Sequence, residues 1–325
     1  MEEYNSTLQL DGSYEKGIAG LYFKSNTDIR KSYLGWSEET TLFEGYISIK
    51  PSSSITFDIG KKTLKWGKGY AWNPVAFIDR PKNPEDTALA LEGFTVVSAD
   101  YIKSFDGSLK TISFTPVLIP AYKDINEKFG KLDELNFAGK LYLLYYDTDI
   151  DFMFLTGGSK STRYGFDFSK NITTNFEMHG ELAFIKDFNK KLIDNAGQVS
   201  ERKDDITSYL LGIRCLTKSD TTYILEYYHN GTGFGANEMG DYFSFIDTAY
   251  DTFISSKDDS QLQKALNITE VSYGRTNPMR DYLYLRISQK EPFDILYFTP
   301  SLTSIFNIND TSYTLSPELL YSGIT

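Results

Sequence analysis

The sequence predicts an all-β protein, one antiparallel up-and-down β-barrel that crosses a membrane with its strands. Three observations carry that expectation. Apolar and polar residues alternate with period two over most of the chain, many of the strands reach the ~9–11 residues that span a bilayer at a tilt, and the connections alternate between short and long.

The alternation is clearest in four runs. In 41–49, Phe43, Gly45, Ile47 and Ile49 fall on one face and Glu44, Tyr46 and Ser48 on the other. Tyr164, Phe166 and Phe168 oppose Arg163, Gly165 and Asp167. Phe176, Met178, Leu182 and Phe184 oppose Glu177, His179 and Glu181, and Leu283, Leu285 and Ile287 oppose Tyr282, Tyr284, Arg286 and Ser288. Each run has one face suited to hydrocarbon and one to water.

The same reading places strands at 6–13, 16–25, 40–50, 54–65, 93–104, 109–117, 136–146, 150–157, 162–169, 172–185, 206–217, 221–229, 281–289, 294–306 and 311–321. Short turns join them at 14–15, 51–53, 105–108, 147–149, 170–171, 218–220 and 290–293. On every other connection lie 26–39, 66–92, 118–135, 158–161, 186–205, 230–280 and 307–310, most of them long. Short turns at one end and long loops at the other are the build of an outer-membrane barrel. Helical periodicity shows once, near 241–266 within the 230–280 loop, where Tyr242, Phe243, Phe245, Tyr250 and Phe253 form an apolar set. Tyr101, Tyr145, Tyr146, Tyr227 and Tyr228 sit near strand ends, where membrane interfaces collect aromatics. About fifteen strands fall within residues 1–325, an odd number, and the expectation is a full-length barrel of about 16 or more strands that extends beyond this chain at both ends.

Composition narrows the function. The 325 residues include 24 Tyr and 23 Phe, so disorder and low-complexity architecture are excluded. With 33 basic against 44 acidic residues the net charge is −11, which argues against nonspecific nucleic-acid binding. The single cysteine, Cys215, and the two histidines, His179 and His229, offer no Cys/His cluster for a metal and no haem attachment motif. Gly67-Lys68-Gly69 lacks the ending of a phosphate-binding loop. No cofactor, metal or enzymatic activity is expected.

The run 64–86 is the most distinctive. Trp66, Tyr70, Trp72, Val75, Phe77 and Ile78 make it too apolar to wave in water, and Pro74, Pro81 and Pro84 stiffen it. One expectation is a loop folded into the barrel mouth over 66–92, a pore constriction presenting Lys68, Arg80 and Lys82 against Asp79, Glu85 and Asp86; the other is an aromatic loop cap that only stabilises the rim. Residues Arg163, Asp167, Glu177, His179, Glu181, Arg214, Glu226 and Arg286 are expected to face the lumen.

The run GKKTLKWGKGYAWNPVAFIDRPKNPED (60–86) resembles the strand-and-loop signature of alginate-export-like and related porin-like outer-membrane proteins of Gram-negative bacteria, and 224–234 and 277–300 resemble the same group. The resemblance implies a barrel in the outer membrane, in contact with its lipid, and passive passage of a small or oligomeric hydrophilic solute. It also implies that Trp66, Gly67, Gly69, Asn73 and Pro74 shape the loop, and Trp72 is expected to join them by its apolar bulk. A homo-oligomer is an open expectation by the same analogy, since porins are commonly trimers. Two other readings stay open on the residues alone: a structural barrel that sheathes or docks periplasmic or electron-transfer partners, and an outer-membrane hydrolase built around His229.

Overall fold

The computed structural model describes residues 4–32, 35–84 and 89–323. Fifteen antiparallel strands follow one another in chain order, each hydrogen-bonded to its sequence neighbours, so β1 (Tyr4–Lys16) and β15 (Tyr313–Tyr321) are the two ends of the order. By internal packing the chain divides into two compact units, one of residues 1–67 and 75–166 and one of residues 68–74 and 167–325.

In the first unit, β2 (Ala19–Ser32), β3 (Gly35–Ser52), β4 (Ile55–Lys62), β5 (Phe94–Ser104), β6 (Leu109–Ala121), β7 (Glu134–Tyr145) and β8 (Thr148–Thr156) continue the meander. Their two faces differ sharply. Ile47, Phe57, Ile59, Val97, Phe114, Leu118, Phe137 and Phe152 are exposed, while Ser48, Asp58, Ser98, Ser113, Asn136 and Asp151 are buried. This inverts the usual globular arrangement, and an apolar surface of that extent requires an apolar surrounding.

In the second unit, β9 (Arg163–Thr173) passes in from the first, and β10 (Phe176–Ile193), β11 (Val199–Leu216), β12 (Thr221–His229), β13 (Asp281–Gln289) and β14 (Phe298–Asn307) follow. The inversion repeats. Met178, Leu182, Phe184, Leu211, Leu225, Leu283 and Leu285 are exposed, whereas Asp167, His179, Glu181 and Glu226 are buried.

Several boundaries differ from the sequence expectation. The stretches 26–39 and 186–205 are not long loops: β2 and β3 pair as far out as Ser32 and Gly35, and β10 and β11 as far as Ile193 and Val199. The outer parts of β2 and β3 are mostly polar, whereas the end of β10 buries Lys190 and Ile193; in both pairs ladder hydrogen bonds hold the strands extended. A bulge between Lys24 and Ser25 on β2 and Glu44 and Leu42 on β3 leaves Phe43 as the extra residue. It buries Phe43 and turns Leu42 outward, reversing the face expected for Phe43. Tyr228 also faces inward, against the expectation of an interfacial site, and stacks on Trp72 with centroids 5.2 Å apart.

The connection after β12 carries helices α1 (Ala236–Ser256) and α2 (Ser260–Ile268). Only part of its aromatic set is used for packing. Tyr242 and Phe245 are buried and Tyr273 stacks between Phe234, at 4.0 Å, and Tyr242, at 4.2 Å, whereas Phe243 and Tyr250 point to solvent because they lie on the far side of α1.

Candidate functional site: a segment held by buried carboxylates

Between β4 and β5 the chain runs for some thirty residues with little regular structure, so its backbone N–H groups need acceptors from elsewhere. They find carboxylates. In the first unit, Asp79 Oδ1 accepts the N–H of Leu64 at 2.8 Å and of Lys65 at 3.1 Å, and Oδ2 accepts that of Trp66 at 2.9 Å. Burial pushes the Asp79 carboxyl up, against the downward pull of those three bonds. Trp66, Val75, Phe77 and Ile78 are buried around this turn, each 1% exposed or less.

In the second unit, Glu181 Oε1 accepts the N–H of both Lys68 and Gly69 at 2.6 Å, and Glu226 accepts those of Tyr70 and, at 2.8 Å, Ala71. Glu226 Oε1 also lies 2.9 Å from His179 Nε2. An oxygen already receiving an amide proton acts as an acceptor, so His179 Nε2 is assigned as the donor. His179 Nδ1 stands 3.5 Å from Glu177, which takes the Tyr70 hydroxyl at 3.1 Å and faces Arg214 at 3.8 Å. Trp72 fills the next position, packed on Tyr228, Tyr282 and Tyr284.

Two glycines make this path available. Gly67 turns at φ +98°, a region side chains disfavour, and a Cβ on Gly69 would lie 2.2 Å from the Trp72 carbonyl oxygen. A third is on the wall, where a Cβ on Gly212 would fall 2.1 Å from His179 Nε2. Sequence reasoning passed over Gly212. Its signal is only the strand register that sets it opposite His179 and Glu226.

The remaining expected site residues fall as follows. Arg80 pairs with Glu92 at 3.1 Å and lies 4.4 Å over the Phe94 ring, so it is engaged within its unit. Lys68 Nζ is 3.9 Å from Asp167, which is fully buried. Arg163 lies 6.0 Å from the Phe77 ring centroid, and Arg286 meets Glu318 at 3.3 Å. Lys82, Asn73 and Pro74 are half-buried, and Glu85 and Asp86 lie outside the described residues. Asp79 is an internal acceptor for the loop rather than a charge presented to a passing solute, because the backbone amides it binds enclose it. His229, the centre of the hydrolase reading, has Asp281 at 2.7 Å and Tyr209 stacked at 4.9 Å; no serine, threonine or cysteine is among those neighbours.

Sequence reasoning also missed Lys160, which donates to the Phe77 carbonyl at 3.1 Å and sits 3.9 Å over the Phe129 ring. Burial, then the charges of Arg163 and Arg80, pull its pKa down to about 7.

No protein-family model and no curated protein sequence matches the chain. Solved structures do. OccK11 (OpdR) of Pseudomonas aeruginosa superposes with a TM-score of 0.53 at 11% identity, over 99% of this chain and 80% of that one. OccK5 (OpdH) of the same organism gives 0.53 at 12% identity, over 99% and 83%. A looser likeness, TM-score 0.45 at 9% identity over 97% and 82%, is to the outer membrane channel DcaP of Acinetobacter baumannii. The chain has a porin-like outer-membrane β-barrel fold. At these identities the likeness is one of fold, and the finer resemblance to alginate-export-like proteins rests on the sequence motif alone.

Two outcomes are expected of this porin-like chain. In Glu181→Ala the amides of Lys68 and Gly69 lose a charged acceptor worth ~1.5–3 kcal/mol, so their hydrogen exchange should quicken by about tenfold to a hundredfold in detergent micelles. Unchanged protection would refute the anchor. For Lys160, a base whose folded pKa lies near 7 against an ordinary 10.5, the folded state carries its full penalty below about 7 and sheds it as pH rises toward 10.5. The unfolding free energy of the protein minus that of Lys160→Met should therefore rise between pH 7 and 10, measured by urea titration in micelles at a series of pH values.

Proposed function

We propose that the chain is an outer-membrane channel of a Gram-negative bacterium, passing a hydrophilic solute passively, with residues 64–84 drawn inward as its constriction. The observation that carries the reading is the capture of this segment's backbone by Glu181 and Glu226, side chains on the polar face of β10 and β12, while Asp79 braces the segment from within. A segment tethered only by its own loop would leave that face clear. The porin-like fold supports the same reading, and so does the apolar outer face, whose partner is the lipid of the outer membrane. The constriction's basic groups are Arg80 and Lys82 in the first unit and Lys68 in the second, with Arg80 paired to Glu92 and Lys68 beside Asp167.

The test is single-channel conductance of the refolded protein in a planar bilayer. Stepwise openings are expected, and the Glu181→Ala, Glu226→Ala double variant should show larger or more variable steps as the segment loosens. A folded protein that never conducts would overturn the channel reading. Membrane placement has its own check: Leu285→Arg, on the apolar face, should destabilise the protein folded in lipid vesicles by ~2–4 kcal/mol if the site is near the midplane, and a negligible cost would count against lipid contact there.

A further inference from the structure

In the second unit, helix α1 buries one side and leaves an apolar stripe uncovered. Its buried residues are Met239, Tyr242, Phe245 and Ala249. Round the helix from them, Phe243, Asp247, Tyr250 and Ile254 recur at i, i+4, i+7 and i+11, which places all four within a stripe ~60° wide on a helix of about 3.6 residues per turn. Phe243 and Tyr250 are each 56% exposed and Ile254 50%. Scattered apolar side chains are ordinary on a surface, but large ones aligned along about three turns of one helix form the strip that an amphipathic helix lays against a partner.

Charge decides what can cover it. Residues 236–271, which hold α1 and α2, carry seven acidic residues against two lysines, a net charge of −5. Glu238 is already engaged, with Lys190 at 2.7 Å and Arg280 at 3.6 Å. Among the described residues, Asp247, inside the stripe, and Asp251, beside it one turn on, have no ion-pair partner, and both are exposed. A second copy docked by a two-fold contact brings the same carboxylates to the same place, and an anionic leaflet brings more negative charge, so both are repelled. A polypeptide with Lys or Arg beside apolar side chains satisfies the stripe and its carboxylates together.

We infer that the exposed stripe of α1 is a docking surface for a basic amphipathic polypeptide, whose apolar side chains lie on Phe243, Tyr250 and Ile254 and whose Lys or Arg side chains pair with Asp247 and Asp251. Exposed ion pairs are individually weak, so the aromatic and aliphatic contacts carry the affinity and the carboxylates the choice of partner. Long connections of an outer-membrane barrel face the outside of the cell, which makes the partner an extracellular one. None of the stripe residues belongs to the proposed constriction, and the inference holds whether or not the chain conducts.

Peptide binding to the full chain in phosphatidylcholine nanodiscs, with the signal of empty nanodiscs subtracted, tests the surface. The probes are a synthetic peptide of about 14 residues with Leu and Lys at helical spacing, the same peptide with Glu for every Lys, and the same peptide with Ser for every Leu. Saturable binding of the Leu/Lys peptide is expected, about tenfold or more tighter than either control. The Phe243→Ser, Tyr250→Ser, Ile254→Ser triple variant should weaken it by about tenfold or more, and Asp247→Asn with Asp251→Asn by about threefold to tenfold with a flatter dependence on salt. Should the triple variant fail to fold, Phe243→Ser alone carries the apolar arm. No saturable binding above empty nanodiscs, unchanged affinity in the variants, or equally tight binding of the Glu peptide would overturn the proposal. Self-association of the chain that the triple variant abolishes would assign the stripe to a second copy and overturn it as well.

Discussion

Everything distinctive about this chain depends on carboxylate oxygens taking up consecutive backbone N–H groups. Residues 64–71 lack a ladder or helix to satisfy them, and an unpaired buried amide costs about as much as a lost hydrogen bond. Asp79 supplies the acceptors for Leu64, Lys65 and Trp66 in the first unit. Glu181 and Glu226 supply them for Lys68 through Ala71 in the second. Charged acceptors give the strong class of hydrogen bond, and here they are spent on fixing a path of the backbone.

That use explains residues which would otherwise look like ligands. Glu177, His179 and Glu226 line up as a metal site or a proton relay would, but each has structural partners. Glu226 binds two loop amides and His179; Glu177 binds the Tyr70 hydroxyl and Ser169. The histidine stands between two acidic side chains and props one of them in place, and the missing side chain of Gly212 gives its ring room. The purpose of the cluster is to hold Tyr70 and Ala71 where they are.

Strand order and face were legible because hydrocarbon and water impose opposite demands on alternate residues, as Met178, Leu182 and Phe184 against His179 and Glu181 show. Where both faces meet water the signal vanishes, so the outer parts of β2 and β3 read as a loop although they pair to their tips; the end of β10 also read as a loop, because Lys190 and Ile193 are buried there by the connection after β12 and not by any alternation along the strand. The bulge at Phe43 was illegible for a different reason: one extra residue reverses the faces without any change in residue type. In the candidate site, the apolar character of Trp66, Trp72 and Phe77 told that the segment is packed rather than open to water. Which carboxylates receive it depends on register among strands more than a hundred residues away, and no local pattern encodes that.

The pairing of charges then bears on what such a wall can select. The chain carries an acidic excess, yet several of its acids are bound to amides, as Asp79, Glu181 and Glu226 are, or lie beside bases, as Glu92 does to Arg80, Glu177 to Arg214 and Glu318 to Arg286. Opposite charges a few ångströms apart cancel at a distance, so a wall built of them exerts little long-range pull on an ion of either sign. At such a wall, short-range hydrogen bonds and shape weigh more than net charge.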